Sequence, residues 1–184
     1  MPAHPQDILT FWRSAGPTRW FARSNAFDEA IRLKFEPVHH RAAAGGYDAW
    51  TAGAESALAL TILLDQFPRN LYRGSAHAYA TDGKARAVAR TAIEACFDRQ
   101  IEPLLRPFFY LPFEHSETLE DQNLSLRLFR AHAEETGDRE SLRFAEIHEE
   151  IIARFGRFPH RNAALGRSTT PEEAAFLEEG GFAG

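Results

Sequence analysis

The stretch Leu60-Thr-Ile-Leu-Leu-Asp-Gln-Phe-Pro68 decides the fold. Its apolar residues Leu60, Leu63, Leu64 and Phe67 recur at i, i+3, i+4 and i+7, the spacing at which side chains share one face of an α-helix. Proline has no backbone N–H and clashes with the preceding turn, so Pro68 is predicted to end this helix. The stretch therefore predicts a buried amphipathic helix that stops at Pro68.

The overall composition favours helices as well. The chain has thirty alanines but only two valines, Val38 and Val88, and eight isoleucines. Alanine is the best helix former, whereas β-sheets are enriched in β-branched residues. We therefore predict an all-α fold.

Length and charge narrow the class of protein. A chain of 184 residues is predicted to form one helical domain, residues 1–184. Twenty-one basic and 26 acidic side chains give a formal net charge of −5, which argues against a nucleic-acid partner. The apolar run through Leu64 stops at Asp65, short of the ~20 residues that a membrane span needs, and residues 1–16 hold no signal-peptide core. We expect a cytoplasmic protein with no membrane partner, and the sequence leaves its oligomeric state open.

Capping residues and chain breakers predict where the other helices begin and end. The predicted starts are Pro5, Ser24 or Asn25, Thr81 or Asp82, Ser116, Asp138 and Thr170, and the predicted ends are Gly16-Pro17, Gly45-Gly46, Gly137, Gly156 and Gly180-Gly181. Pro37 lies inside the second helix and predicts a kink or break near Phe35-Glu36. The segment 104–113, rich in proline and aromatic residues, is predicted to form a buried elbow.

Helical spacing also predicts which side chains are buried. The predicted faces are Ile8, Phe11 and Trp12; Phe27, Ile31, Phe35 and Val38; Val88, Ala92, Ala95 and Cys96; Leu124, Leu128 and Ala131; and Phe144, Ile147, Ile151 and Phe155. His148 falls on the last of these faces and is interpreted as a hydrogen-bonded core or rim histidine rather than a catalytic one.

The sequence carries no familiar motif for metal or nucleotide chemistry. His148-Glu149 begins like a zinc-protease helix, but Ile152 stands where the second histidine belongs. The Glu-x-x-His pair Glu36-Pro-Val-His39 contains a proline that disturbs the helix needed for di-iron geometry. We therefore predict neither a metal site nor a cofactor.

Polar residues crowd the predicted helix ends. An anion in the last turn of a helix opposes the helix dipole, so Asp65 is predicted to have a compensating cation, either Arg69 or an arginine from another segment. Ser116 is predicted to cap the following helix and Glu117 to complement its positive end. His115 has no such structural duty and is a candidate acid, base or anion ligand.

The polar segment at residues 158–162 is similar to the one at residues 67–70. Phe158-Pro-His-Arg-Asn162 is similar to Phe67-Pro-Arg-Asn70, which predicts that Arg69 and Arg161 lie on the same rim. Four arginines in this region imply either carboxylate partners such as Asp65 and Glu117 or an anionic ligand, and the sequence does not choose between them. They are Arg154, Arg157, Arg161 and Arg167.

These polar motifs resemble a bacterial family known as domain of unknown function 924. The motifs are Leu64 to Asn70, Tyr110 to Glu117 and Arg154 to Glu173, and the likeness extends from about Ile8 to Leu177. The resemblance implies an all-helical fold of antiparallel pairs similar to tetratricopeptide-repeat superhelices, with no established activity. Its motif residues are Asp65, Gln66, Arg69, Asn70, His115, Ser116, Glu117, His160, Arg161 and Asn162.

Three functions remain open at this level. The first is a binding module whose polar pocket holds a small anionic molecule or peptide, with Gln66, Arg69, Asn70, Ser116, Arg161 and Asn162 as ligand-binding candidates. The second is a metal-independent hydrolase or lyase of a small anionic substrate. In that enzyme His115 or His160 acts as general base, oriented by Asp65 or Glu117. The third is a scaffold in which all these groups only tie helix ends together.

Overall fold

The structure is a computed structural model that describes residues 3–182. Within this range the chain forms nine α-helices and no strand, so the predicted all-α fold is confirmed. The arrangement of these helices as a tetratricopeptide-like superhelix stays a prediction. The helices are α1 (Pro5–Ala15), α2 (Pro17–Trp20), α3 (Asn25–Ala43), α4 (Ala54–Leu71), α5 (Asp82–Glu94), α6 (Leu111–Glu114), α7 (Leu119–Thr136), α8 (Arg139–Phe155) and α9 (Pro171–Glu178).

The chain divides into two compact units. The first comprises Met1–Arg73 with His77–Pro112 and holds α1 to α5. The second comprises Gly74–Ala76 with Phe113–Gly184 and holds α7 to α9. That residues 1–184 act as one domain stays a prediction, and residues 1, 2, 183 and 184 lie outside the described range.

Helix α4 is the centre of the first unit, where it packs against α1, α3 and α5. All side chains of residues 57–67 are buried, on every side of the helix. The prediction that Pro68 ends this helix is wrong, because α4 continues to Leu71. Pro68 lacks the N–H that the carbonyl of Leu64 needs. The hydroxyl of Thr81, just before α5, donates to that carbonyl instead, so tertiary packing completes the interrupted ladder.

Helix α3 begins where the sequence predicts and also passes through a proline. The side chain of Ser24 accepts a hydrogen bond from the backbone N–H of Phe27. Of the predicted kink or break near Phe35-Glu36, the break is wrong, because the helix continues through Pro37 to Ala43; a kink stays a prediction. Both α3 and α4 therefore continue through an interior proline.

The buried face of α3 includes His39 in place of the predicted Val38. Val38 is half-buried, whereas His39 is buried and its Nδ1–H donates to the carbonyl oxygen of Leu63 at 3.0 Å. Burial lowers the pKa of His39 although this hydrogen bond opposes the shift, so its imidazole is neutral at neutral pH. The buried residues are Phe27, Ile31, Phe35, His39 and Ala42.

Most predicted caps are confirmed. Pro5 stands at the first position of α1, and Asp138 caps α8 through the N–H of Ser141. Thr170 and the side chain of Glu173 form a reciprocal capping box at the start of α9. The glycines that end α7 and α8 both adopt the left-handed conformation, with φ of 82° and 67°.

Cys96 is exposed, so the prediction that it points inward is wrong. Helix α5 ends at Glu94, and Cys96 has a φ of 56°, outside the helical region. The helical spacing that buries Val88 and Ala92 therefore does not extend to Cys96.

The predicted elbow is buried, as expected. Residues 105–113 are all buried, and the segment forms only short helical turns, Arg106–Phe109 and α6. Tyr110 in this segment donates its hydroxyl to Asp98 at 2.8 Å.

Helix α7 differs most from expectation. Thr118, not Ser116, is its N-cap, so that prediction is wrong. Its predicted apolar face is also wrong, since Leu124 and Leu128 are half-buried and Ala131 is exposed. The buried residues are Asp121, Gln122, Ser125, Phe129, His132 and Ala133.

Helix α8 keeps part of its predicted face. Ile151 is buried, but Phe144 is 39% exposed and Phe155 is half-buried. The buried stripe is rotated toward Leu142, Ala145, His148, Ile151 and Ile152.

None of the helices within residues 3–182 combines the length and the apolar character that crossing a lipid bilayer requires.

Candidate functional site

The polar residues of α4 form an internal ion network in the first unit. Arg69 lies 3.3 Å from the Oδ1 atom of Asp65, which confirms the predicted cation. The same guanidinium donates to both carboxylate oxygens of Asp82, at 3.0 and 3.1 Å. The Asp65 side chain is fully buried. Burial disfavours the charged form of Arg69, but the two carboxylates outweigh it and raise the pKa of Arg69.

Two further predicted ligand residues are engaged in the same unit. Gln66 donates its side-chain amide to Asp65. Asn70 donates to Asp28 of α3 at 2.7 Å, and Arg73 binds the same carboxylate through two hydrogen bonds. Burial opposes ionisation of Asp28, but Arg73 and Asn70 outweigh it and lower its pKa. These contacts tie α4 to α3.

In the second unit, Glu117 is held by an arginine rather than placed against a histidine. Arg167 donates to both oxygens of Glu117, at 2.7 and 3.0 Å, and the backbone N–H of Phe158 adds a third hydrogen bond. Burial raises the pKa of Glu117, but Arg167 and the Phe158 N–H lower it by more. The bidentate pair links the start of α7 to the chain after α8.

A second carboxylate, Glu173 at the start of α9, gathers three partners. Arg157 donates to it at 2.6 and 2.9 Å, and Asn162 donates at 3.1 Å. The N–H of Thr170 donates at 2.7 Å. Hydrogen bonds from Arg157 lower the pKa of Glu173 to about 2, although burial opposes the shift. The predicted ligand residue Asn162 is therefore part of an anchor for α9.

Ser116 also has a local role. Its hydroxyl donates to Asp121 at 2.7 Å, and its backbone carbonyl accepts the side-chain amide of Gln122 at 2.6 Å. Ser116 thereby holds the entry into α7 without being its N-cap.

The remaining arginines of this region differ in their partners. Arg154 pairs with Glu172 at the surface, at 3.0 Å. Arg161 is only 6% exposed, and its Nη1 atom donates to the backbone carbonyl of His115 at 3.0 Å. Its guanidinium also lies over the ring of Phe158, 4.3 Å from the ring centroid. Arg161 thus places a permanent positive charge in the interior of the second unit.

His148 of α8 lies beside this charge. Its Nδ1 atom is 2.8 Å from the carbonyl oxygen of Phe144 and 3.3 Å from Oε1 of Glu114. A carbonyl only accepts, so Nδ1 carries the hydrogen and Nε2 keeps its lone pair in the neutral ring. Within residues 3–182, Nε2 of His148 makes no hydrogen bond. The imidazole is fixed through one nitrogen and has the other available.

Two more histidines lie close to His148. The ring of His115 is 6.4 Å from it, and both His148 and His160 lie about 5.5 Å from the ring of Phe158, at 5.4 and 5.5 Å. Burial lowers the pKa of His148 to about 3, and the positive charges of His115, Arg161 and His160 add to this effect. We call His115, His148, His160 and Arg161 the histidine cluster.

Comparison with known proteins identifies the family of this chain. The model of a family described as "Bacterial protein of unknown function (DUF924)" matches residues 8–181. The chain belongs to this family. A solved structure of a protein of unknown function from Agrobacterium tumefaciens is similar to it, with 48% sequence identity and a TM-score of 0.91. The alignment covers 96% of this chain and 97% of that one. Among curated proteins there is no match.

For this member of the family, the predicted site residues fall into two groups. Those at positions 65, 66, 69 and 70 lie in the first unit, and those at 115–117 and 160–162 lie in the second. A shared rim for Arg69 and Arg161 stays a prediction. Two open depressions in the first unit, of about 440 and 270 Å³, touch none of these residues. Within residues 3–182, no three His, Cys, Asp or Glu side chains are grouped to hold a metal ion.

The sequence analysis predicted the burial of His148 and missed the position of Glu114 beside it. His148 was interpreted as a core histidine, and it is indeed buried and hydrogen-bonded. Glu114 received no role, yet its carboxylate lies 3.3 Å from Nδ1 of His148. The sequence does carry a signal for this contact. Glu114 precedes a histidine in an apolar segment, and a second histidine, His148, lies on a predicted buried helix face.

Proposed function

We propose that the second unit binds a small oxyanion at the histidine cluster. The observation that carries the proposal is the setting of His148, a buried imidazole that is fixed through Nδ1, has Nε2 available and lies beside His115 and the ring of Phe158. Arg161 adds a buried, permanently charged guanidinium to the same cluster, which favours the approach of an oxyanion. A buried guanidinium stacked on a phenylalanine is also pre-organised, so little side-chain entropy is lost when an anion binds.

The other predicted ligand residues support a structural role instead. Asp65, Gln66, Arg69 and Asn70 contact one another or α3 and α5, and Glu117 and Asn162 join segments of the second unit. We propose that these residues hold helix ends and leave ligand binding to the histidine cluster. A cytoplasmic location and the absence of nucleic-acid and membrane partners remain part of this proposal, as does an anionic peptide as an alternative ligand.

Histidine side-chain NMR tests the proposal directly. We expect sodium acetate, sodium benzoate or sodium phosphate to shift the ring resonances of His115, His148 and His160. The exposed histidines of the first unit, His40 and His77, serve as internal controls and should not move. If none of the three anions moves the cluster resonances more than those of the controls, the proposal is wrong.

A matched pair of arginine variants adds a second measurement. We expect Arg161→Gln to abolish the anion response, because it removes the permanent charge. Arg154→Gln removes a guanidinium from the surface of the same unit and should leave the response unchanged. Circular dichroism shows whether each variant is folded. An equal loss in both variants would indicate a nonspecific charge effect and contradict the proposal.

A hydrolase or lyase is the second candidate, because Glu114 contacts the imidazole that keeps a lone pair. The carbonyl oxygen of Phe144 fixes Nδ1, Glu114 lies 3.3 Å from it, and Nε2 is the atom that can accept a proton as a general base does. In this version His148 takes the role that the sequence gave to His115 or His160. The candidate is supported if the wild-type protein hydrolyses 4-nitrophenyl acetate faster than buffer alone. The His148→Gln variant should then lose this activity and keep the anion response. An unchanged rate in His148→Gln would reject it.

A further inference from the structure

An open depression in the first unit lies where the chain passes from α1 through α2 into α3. Its volume is about 270 Å³, and its lining residues lie between Phe11 and Ala30. Ligand sites usually have volumes of about 300–1,000 Å³, so a depression of this size suits a small molecule. We call this place the α1–α3 depression.

The polar residues of the α1–α3 depression are all at one end of it. Ser14, Arg19 and Ser24 lie at or near the connection between α1 and α3. The lining residues farthest from this connection, Phe11 and Ala30, are apolar. A molecule with a polar head and an apolar body matches this arrangement.

Two packed phenylalanines form the apolar wall of the depression. The rings of Phe11 and Phe27 are parallel to within 1°, with their centroids 5.5 Å apart. On the core side, the ring of Trp12 lies 6.0 Å from that of Phe27, and the ring of Phe67 lies 6.2 Å from that of Phe11. Because the core holds both rings, the wall is formed before a ligand arrives, and binding loses little side-chain entropy.

Within the described chain, Arg19 is the one charged residue that lines the depression. It forms no hydrogen bond or ion pair with any residue from 3 to 182. Arg69 and Arg73 of the same unit each bind a carboxylate. The oxygen of Ser24 accepts a hydrogen bond from the N–H of Phe27, so its hydroxyl hydrogen is available to donate. The polar end therefore offers a guanidinium and a hydroxyl to an anionic group.

We infer that the α1–α3 depression binds a small aliphatic monocarboxylate. Its carboxylate lies at Arg19 and Ser24, where the single cation of the lining matches one negative charge and the guanidinium can donate two parallel hydrogen bonds. Its alkyl chain covers the wall of Phe11 and Phe27, which removes apolar surface from water. Ser24 and Ala30 are about 9 Å apart along the axis of α3, so an extended chain reaches both ends better than a single ring.

This inference goes beyond the proposed function and is independent of it. The depression lies wholly in the first unit, whereas the histidine cluster lies in the second.

A ligand titration followed by backbone amide NMR tests the inference. The probes are hexanoate, acetate and 1-hexanol, and the reporting resonances are those of residues 24–30. We expect hexanoate to bind at least about tenfold more tightly than acetate, because each buried methylene group contributes roughly fourfold in affinity. The neutral 1-hexanol has the same chain length without the charge and should bind about fivefold more weakly than hexanoate.

A matched pair of arginine variants tests the polar end. Arg19→Gln removes the cation of the lining and should lower the affinity for hexanoate to that for 1-hexanol. Arg23→Gln removes an exposed arginine of the same connection that does not line the depression, and it should leave the affinity unchanged. Equal losses in the two variants, or equal affinities of wild type for hexanoate and 1-hexanol, would overturn the inference.

A matched pair of alanine variants tests the apolar end. Ala30→Leu places a larger side chain in the depression and should abolish hexanoate binding. Ala87→Leu adds the same side chain at an exposed position of α5 and should leave binding unchanged. Circular dichroism shows whether each variant is folded. Hexanoate binding that survives in a folded Ala30→Leu protein would overturn the inference.

The same titration separates this inference from the proposed function. The ring resonances of His115, His148 and His160 report on the second unit, and the amides of residues 24–30 report on the first. A response of the histidine rings alone would overturn the α1–α3 site and leave the proposed function in place. A response of residues 24–30 alone would support the α1–α3 site and count against the proposed function.

A measurement on wild type decides the matter if Ala30→Leu does not fold. The terminal methyl protons of bound hexanoate should show nuclear Overhauser contacts with the ring protons of Phe11 or Phe27. If saturating hexanoate gives no such contact, the inference is wrong.

Discussion

The ion network around Arg69 and the histidine cluster use buried polar groups in opposite ways. Arg69 is held by two carboxylates, Asp65 and Asp82, at distances of 3.0 to 3.3 Å. His148 is fixed through one nitrogen, and its other nitrogen makes no hydrogen bond within the described chain. A buried polar group whose hydrogen bonds are all made within the protein stabilises the structure. A buried group that is held in place but keeps one atom available can bind a ligand or a proton. The pattern of partners, rather than residue type, separates the two regions.

The largest effect should come from Arg69→Ala. It removes the guanidinium that both buried carboxylates contact, and loss of one member of such a network costs about 3–5 kcal/mol of unfolding free energy. Urea denaturation monitored by circular dichroism measures this cost. A loss below about 1 kcal/mol is typical of an exposed ion pair. Such a loss would show that the network around Arg69 does not stabilise the fold, so it would no longer differ from the histidine cluster in this respect.

The next effect is a change of pH dependence in His148→Gln. The pKa of His148 is about 3 in the folded protein and 6.5 as its ordinary value, so the unfolded chain binds a proton first as the pH falls. Wild-type stability should therefore decline from about pH 6.5 toward pH 3, by at most about 1.4 kcal/mol per pH unit from this group. Urea denaturation at several pH values should give a shallower slope in His148→Gln. An identical slope would show that His148 is not the buried neutral base described above.

Glu173→Gln should have a smaller effect that appears at lower pH. The pKa of Glu173 is lowered to about 2 from 4.5, so its stabilising contribution is full above about 4.5 and is lost as the pH falls toward 2. At neutral pH the variant should lose about 1–3 kcal/mol, because charged hydrogen bonds to Arg157 and Thr170 are weakened. Urea denaturation at neutral and acidic pH measures both features. If the anion response of the histidine cluster disappears in a folded Glu173→Gln protein, Glu173 is more than an anchor for α9.

The smallest effect is expected for Arg154→Ala. Its pair with Glu172 is exposed, with side-chain exposures of 52% and 64%, and such pairs contribute about 0–1 kcal/mol. Thermal denaturation should show little change. A loss as large as that of Arg69→Ala would mean that burial does not distinguish the arginines of this chain.

Local signals predicted helix boundaries well and interior prolines poorly. The caps at Asp138 and Thr170 depend on residues three positions away, so the sequence contains all the needed information. The continuation of α4 through Pro68 depends on a partner that is distant in sequence. For Pro68 the partner is Thr81, which no local pattern identifies.

Burial was predicted least well where the buried residues are polar. The face chosen for α7 followed its leucines, but Gln122 and Ser125 are fully buried. Gln122 fits because the carbonyls of Glu114 and Ser116 accept its amide hydrogens. A hydrophobic pattern predicts every polar residue to be exposed. It therefore does not identify a polar side chain that is buried because its hydrogen bonds are made inside the protein.

The candidate site was predicted in part for the same reason. Arg69 and Asp65 are four residues apart on one helix, so their pairing follows from helix geometry. Asp82 joins them only through tertiary packing. The approach of Glu114 to His148 likewise joins residues 34 positions apart, and only the folded chain shows it.

The hydrogen bond between Thr81 and Leu64 makes two helices depend on each other during folding. The ladder of α4 has a gap at Pro68 that the chain fills only after residue 81 has docked, so the last turns of α4 and the first turn of α5 gain their stability together. Amide protons on the two sides of this junction should therefore exchange with solvent in the same opening event. A proline near the end of a helix, which usually weakens that helix, here makes the cooperative unit larger.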